Sequence, residues 1–153
     1  MITFQKELLA DVAAEVQPLL EQHYQELCLH KDKIRLNPRW DQYAALELMG
    51  AFMVLTARDD GKLAGYAAFF LNTNMHYADL SMAVNDVLFL APEYRNRPRV
   101  GMRLIEYSER EARAAGARKI IFHAKLNTPI VTLLNGKGYV TEELMLGKFL
   151  QGD

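Results

Sequence analysis

The chain of 153 residues carries 18 basic and 19 acidic side chains, half of its residues are apolar, and its net charge is -1. That near neutrality excludes a dedicated nucleic-acid binder, which is basic overall, and the length holds one domain but not two. The one cysteine, Cys28, excludes an internal disulfide framework, and His23, His30, His76 and His123 have no ligand-like spacing to it, so no metal site is expected.

Residues 2–5 fit a short first strand. From Leu8 the apolar positions Leu9, Val12, Val16, Leu19, Leu20, Tyr24 and Leu27 recur at helical spacing, and Pro18 inside the pattern is expected to kink or split that helix. A second, shorter helix is predicted from about Trp40 to Met49, after the turn-like Asn37-Pro38. Met53–Arg58 and Leu63–Leu71 read as strands joined by the hairpin turn Asp59-Asp60-Gly61-Lys62, where Gly61 supplies a positive φ. After the polar stretch 72–79, Met82–Leu90 reads as an apolar-rich strand that stops at Ala91-Pro92, since proline has no ladder donor.

The pattern then changes from strand-like to helical. Val100, Leu104, Ile105, Ser108, Ala112 and Ala115 share one face, Arg103, Glu106, Arg110 and Arg113 the other, and Gly116 closes the helix. Lys119–Ala124 reads as a strand, Pro129–Leu134 as a short helix, and Tyr139–Leu150 as a final strand pair or one long bent strand. The predicted order is β-α-α-β-β-β-α-β-α-β. Strand 82–90, helix 99–115 and strand 119–124 form a crossover unit, so those strands are expected to be parallel neighbours. The hairpin makes the rest antiparallel. The expectation is a single α/β (α+β) domain over 1–153, with a mixed, mostly antiparallel sheet and helices on both faces. No apolar run reaches the roughly 20 residues of a membrane span, and the N-terminus lacks a signal-peptide pattern, so a cytoplasmic protein without membrane contact is expected.

The junction of the crossover unit, Pro92-Glu93-Tyr94-Arg95-Asn96-Arg97-Pro98-Arg99-Val100-Gly101-Met102-Arg103, sends a strand through an arginine-bearing loop into the first turn of an amphipathic helix. The first N–H groups of a helix lack internal partners and carry partial positive charge, so such an end suits pyrophosphate. A solvated basic turn is the simpler reading of the same residues. Val87-Leu88-Phe89-Leu90-Ala91-Pro92-Glu93-Tyr94-Arg95, followed by Gly101-Met102-Arg103-Leu104-Ile105, resembles the central motif of the GNAT superfamily of N-acetyltransferases, in which V-x-P-x-Y-R leads to Q/R-x-x-G-x-G/A and a helix. Asn127, Leu133 and Lys137-Gly138-Tyr139 resemble that family's N-x-x-A-x-x-L-Y-E-K-x-G-F, and the element order is the superfamily's.

The resemblance implies an acetyl-CoA-dependent transferase, without a metal, that acts on an amine of a small molecule or protein. It implies that two parallel strands splay apart around the pantetheine arm. Leu88, Phe89 and Leu90 would then supply the exposed edge, Arg95, Asn96, Arg97, Pro98, Arg99, Val100, Gly101 and Met102 the phosphate cradle, and Asn127 and Leu133 the flank. It also points to a homodimer. Two departures stand out. The loop keeps only Gly101 of the family's glycines and holds Pro98, which has no N–H, so Arg97, Arg99 and Arg103 are expected to make the site more electrostatic. The family's acid tyrosine aligns with Leu134, which cannot donate a proton.

Acyl transfer to an amine needs a proton acceptor, and a donor for charge developing on the acyl oxygen, for which the Leu88 or Leu90 N–H is suited. Asp86, a lone acid in an apolar strand, is the candidate base, with a raised pKa; the plainer reading is an Asn85-Asp86 pair that merely orders the sheet. Tyr77 is the alternative acid, and His76, Trp40 and Tyr43 are candidates for the acceptor pocket. His123 reads as packing. The alternative to a transferase is a non-catalytic acyl-CoA-binding module, which Leu134 and Pro98 favour; a third reading makes the arginines a patch for an anionic partner.

Overall fold

The computed structural model describes residues 1–150. In chain order the elements are β1 (Ile2–Glu7), α1 (Leu9–Leu27), α2 (Trp40–Leu48), β2 (Phe52–Asp59), β3 (Lys62–Thr73), β4 (Ser81–Leu90), α3 (Pro92–Arg95), α4 (Val100–Ala114), β5 (Lys119–Ile121) and α5 (Pro129–Gly136). The chain divides into two compact units, Met1–His123, which holds the sheet and α1 to α4, and a smaller one from Ala124 onward, which holds α5.

The sheet runs β1-β2-β3-β4-β5, antiparallel throughout except for the parallel pair β4–β5. The β2–β3 turn has two residues, Asp60 and Gly61, both at positive φ, the geometry whose twist matches that of the flanking strands. Alternation along the strands sends Phe52, Val54, Tyr66 and Ala68 to a core with Leu9, Val12 and Val16 of α1. Met53, Leu55, Ala67 and Phe69 go to the other face, against Leu104, Tyr107 and Ala112 of α4. Covered on both sides, β2 is buried from Phe52 to Ala57, which explains its run of apolar residues, with Thr56 the polar exception. The α4 stripe follows its spacing through Ala112: Leu104, Ile105, Ser108 and Ala112 are buried and Arg103, Glu106, Arg110 and Arg113 exposed, whereas Ala115, expected on the buried face, is exposed at the C-cap.

Several expectations are corrected. Pro18 does not split α1: its ring lies on the exposed side, and the buried contacts of Leu9, Val12 and Val16 before it and the packing of Leu19 and Leu20 after it hold the helix continuous. Pro92 opens a short helix, α3, rather than only ending β4, because proline suits the first helical position. The strand expected over 119–124 pairs only at 119–121. The final strand or strand pair at 139–150 is not formed; no residue of that segment joins the sheet, and Val140, Leu144, Met145, Leu146 and Leu150 stay exposed. Strand-like composition gives a strand only when a ladder and a face to bury are supplied.

In the smaller unit, Thr128 precedes α5 and its Oγ1 donates to the Lys125 carbonyl. Pro129 occupies the first turn, and Gly138 at φ 89 closes the helix as the Tyr139 N–H returns to the Leu134 carbonyl. No helix among the described residues is long and apolar enough to cross a membrane.

Candidate functional site

The register between β3 and β4 slips at one place. Ala68 faces Val87 whereas Phe69 faces Asn85, so Asp86 is an additional residue in β4, a β-bulge. Before the bulge Ala83 points into the α4-side core; after it Val87 and Phe89 point into the α1-side core. The bulge is held by Asn85, whose buried Nδ2 donates to the carbonyls of Ala68 (3.3 Å) and Val87 (2.7 Å). Of the Asn85-Asp86 pair, it is Asn85 that orders the sheet. Asp86 points to the helices.

There it meets Tyr43 of α2, whose hydroxyl donates to Asp86 Oδ2 at 2.8 Å. The Tyr43 ring is fixed between Phe52 and Phe70, with centroids 4.9 and 6.0 Å away, and Trp40 lies 6.3 Å from it on the same helix. Burial pushes the Asp86 carboxyl above the usual aspartate range, and the Tyr43 bond and the charges of His23 and His123 pull it only part of the way back. Burial, then the bond to Asp86, pushes the Tyr43 phenol up, so it stays a donor at any ordinary pH. Tyr66 on β3 is buried, and its phenol is pushed up by burial and by the charges of Asp86 and Tyr43. His23 of α1 packs against Phe89 with ring centroids 5.4 Å apart. A carboxyl that takes up a proton more readily than an ordinary aspartate, set among phenols and imidazoles, is suited to accepting and returning a proton.

A few residues on, β4 loses a neighbour. Among the described residues its parallel ladder with β5 covers only Met82, Ala83 and Val84, so Leu88, Phe89 and Leu90 have β3 on one side and an edge with no described ladder partner on the other. The Ala91 N–H bonds the Ala64 carbonyl on β3, and strand alternation therefore turns the N–H groups of Leu90 and Leu88 toward the open edge. Consistently, the Leu90 carbonyl accepts from Arg95 Nε at 2.8 Å. Gly65 permits close approach here, since a Cβ on it would lie 2.6 Å from the Phe89 carbonyl oxygen.

The arginines of the junction are individually placed. Arg95 donates from Nη2 to both carboxylate oxygens of Glu26 of α1 and covers the Phe89 ring. Arg97 pairs with Asp59 at 2.7 Å and lies over Tyr94. Arg99 is exposed and takes a left-handed conformation (φ 64) at the start of α4, whose N-terminus has no side-chain cap. Arg103 lies over Phe4. Asn96 and Pro98 are exposed, whereas Val100 is buried and Gly101 and Met102 are half-buried in the first turn of α4.

Tyr77 and His76 lie in the exposed β3–β4 loop, at the opposite end of β4 from Leu90, with both backbone N–H groups bonded to Asn74 Oδ1. The structure thus brings Asp86 and Tyr43 together, but not these two with them. In the smaller unit Asn127 adopts φ 60, Leu133 is half-buried and Leu134 is buried. Sequence reasoning passed over His23 and Tyr66. Tyr66 in Leu63-Ala64-Gly65-Tyr66-Ala67-Ala68 reads as one more core aromatic, and only its hydroxyl could have marked it. An open groove of about 740 Å³ along α1, bordered by Pro18, Glu21, Tyr24, Leu36 and Pro92, contains none of these groups.

The Acetyltransferase (GNAT) family matches residues 14–133. No curated protein matches the chain. Among solved structures, a ribosomal-protein-alanine N-acetyltransferase from Brucella melitensis biovar Abortus 2308 is 20% identical, with 99% of this chain and 100% of that one covered and a TM-score of 0.71. An aminoglycoside acetyltransferase, HMB0005, from an uncultured soil metagenomic sample is also 20% identical, with 99% of each chain covered and a TM-score of 0.75. A predicted acetyltransferase with acetyl-CoA from Clostridium acetobutylicum is 14% identical, with 98% and 97% covered and a TM-score of 0.73. The mixed sheet with its one parallel pair, the helices on both faces and the family match over most of the length agree, and the chain belongs to the GNAT acetyltransferase family.

Proposed function

We propose that this protein is an acetyl-CoA-dependent N-acetyltransferase that moves an acetyl group to a primary amine of a small molecule or protein, by direct attack with both substrates bound. The observation that carries this reading is the placement of Asp86: an acid at a bulge, its carboxyl bonded by Tyr43, a few residues before β4 presents the amides of Leu88 and Leu90 to an open edge. The coenzyme supplies an activated thioester carbonyl. The open edge of Leu88 to Leu90 offers backbone partners to an amide-bearing arm, and the uncapped first turn of α4, with Arg99 beside it, offers N–H groups and charge to a pyrophosphate.

In the transfer, Asp86 takes the proton of the acceptor's ammonium, directly or through water, and the freed nitrogen lone pair attacks. A C–N bond forms, the C–S bond breaks, the second proton shed by the nitrogen after attack goes to the departing sulfur, and Asp86 gives the first to solvent. The Leu88 or Leu90 N–H meets the charge that develops on the acyl oxygen. Holding the two substrates in line contributes several kcal/mol before any proton moves. A ribosomal protein and aminoglycosides, the acceptors named for two structures of this fold, are of the two kinds proposed.

Titration calorimetry with acetyl-CoA tests the binding half. One molecule per chain is expected to bind, with affinity falling as salt rises and dropping about tenfold or more in Arg97→Ala/Arg99→Ala. Arg97 has to leave Asp59 to take part, so a silent double variant removes the loop from the site. No heat at all overturns the proposal. Release of the coenzyme thiol across a panel of amines separates a transferase from a binding module, the reading that the buried Leu134 favours.

A further inference from the structure

Among the described residues, one fully buried side-chain polar atom has no hydrogen-bond partner: the hydroxyl of Tyr66. Tyr66 is 3% exposed, on β3 opposite Phe89, and packs in the core on the α1-side face of the sheet with Val87 and Phe89. A phenol there is less favourable than a phenylalanine unless something bonds its hydroxyl. The groups whose charges reach it are Asp86 and Tyr43. Tyr43 takes Asp86 Oδ2, which leaves Oδ1 for a second donor.

We infer that Tyr66 is a positioning residue for the carboxyl of Asp86: its hydroxyl is the second donor to that carboxylate through one buried water, so that ionised Asp86 is held between two phenols. The inference rests on the reading of Asp86 as the proton acceptor and deepens it, since two phenols fix both the orientation and the proton affinity of the acid. Among the described residues, Tyr43 from α2 bonds Asp86, the charges of His23 from α1 and His123 just after β5 reach it, and its own charge reaches Tyr66 on β3. Each stabilises the ionised form when it donates or carries positive charge, so loss of the Tyr66 hydroxyl moves the Asp86 midpoint upward.

Because two imidazoles also face the acid, the readout is the Asp86 carboxyl carbon itself, followed by NMR in protein labelled with 13C-aspartate. Tyr66→Phe is expected to raise the midpoint by about one pH unit. Tyr107→Phe, a phenol removed from the opposite face of the sheet, leaves it where it was. An unchanged midpoint in Tyr66→Phe overturns the inference, and an accompanying gain in thermal stability would mark Tyr66 as packing alone. Should Tyr66→Phe fail to fold, wild-type protein labelled at tyrosine Cζ gives the same answer: the Tyr66 signal is expected to follow the Asp86 titration, and a flat signal overturns it. Neither reading uses acetyl transfer. Failure of the transferase proposal would appear as absent thiol release with this coupling intact, and failure of this inference as thiol release with the coupling missing.

Discussion

Asp86 owes its chemistry to one additional residue in a strand. A regular β4 would place residues 85 and 87 on one face and 86 on the other; the bulge instead gathers Asp86 and Val87 on the α1 side, where Tyr43 lies. General-base catalysis contributes about 100- to 10,000-fold, so Asp86→Asn should lower thiol release by that order and remove the acidic limb of its pH profile. A rate and profile equal to wild type would send the proton elsewhere. The stability effect has the opposite sign. The folded carboxyl keeps its proton to higher pH than the unfolded one, so the unfolded chain ionises first and stability falls as pH rises through that window. Asn cannot ionise, and thermal unfolding of Asp86→Asn is expected a few degrees above wild type at neutral pH, with the difference vanishing below about pH 4. Tyr43→Phe removes a bond that pulls the Asp86 carboxyl down, and should move the acidic limb of the rate profile to higher pH. Asp86 was visible in the sequence as a solitary acid among apolar neighbours. Its partner was visible only as an aromatic, because a bulge is a property of two strands in register and leaves no mark in one.

At the scale of elements, the hairpin and α4 were plain in the residues, Asp60-Gly61 by its conformational freedom and α4 by its two-sided pattern. Pro18 misled because packing on one face of α1 outweighs one missing N–H on the other. The loop arginines were legible as charge but not as partners; only folding brings Glu26 to Arg95 and Asp59 to Arg97. Gly65→Ala tests the closeness of β3 and β4. The new Cβ meets backbone, the Phe89 carbonyl oxygen at 2.6 Å and the Leu90 Cα at 3.0 Å, which cannot swing away as the Leu90 Cδ1 at 2.8 Å can, so a loss of about 1–3 kcal/mol is expected, read from denaturant midpoints. A neutral result would mean the strands have room to part. Arg58 ties Glu7 of β1 and Glu15 of α1 to β2, and Thr56 also donates to Glu7. Burial pushes Glu7 up, but its bonds to Arg58 and Thr56 hold it below the usual carboxylate range; the bond to Arg58 holds Glu15 down as well. Depressed folded values mean stability present above the ordinary carboxylate range and lost as pH falls through those values. Arg58→Ala should therefore cost about 3 kcal/mol at neutral pH and much less near pH 3. An equal loss at both would assign Arg58 to packing.

For the whole molecule, burial divides the chain sharply. Phe52 to Ala57 of β2 and Leu63 to Phe69 of β3 are buried without a break, whereas every residue from Val140 to Leu150 is exposed. Amide exchange should be slowest in β2, β3 and α4 and fast over 139–150; protection in that last segment would restore the strand its composition predicts. The family and the class of transfer follow from the match over residues 14–133, and the chemistry proposed for it turns on Asp86 beside an open strand edge. Thiol release from acetyl-CoA, measured across a panel of primary amines and across pH with wild type and Asp86→Asn side by side, tests that most directly. The account predicts amine-dependent release in the wild type that rises with pH as Asp86 ionises, and a variant that has lost about 100-fold or more and that rise. Release that is absent with every amine, or identical in the two proteins, would contradict it.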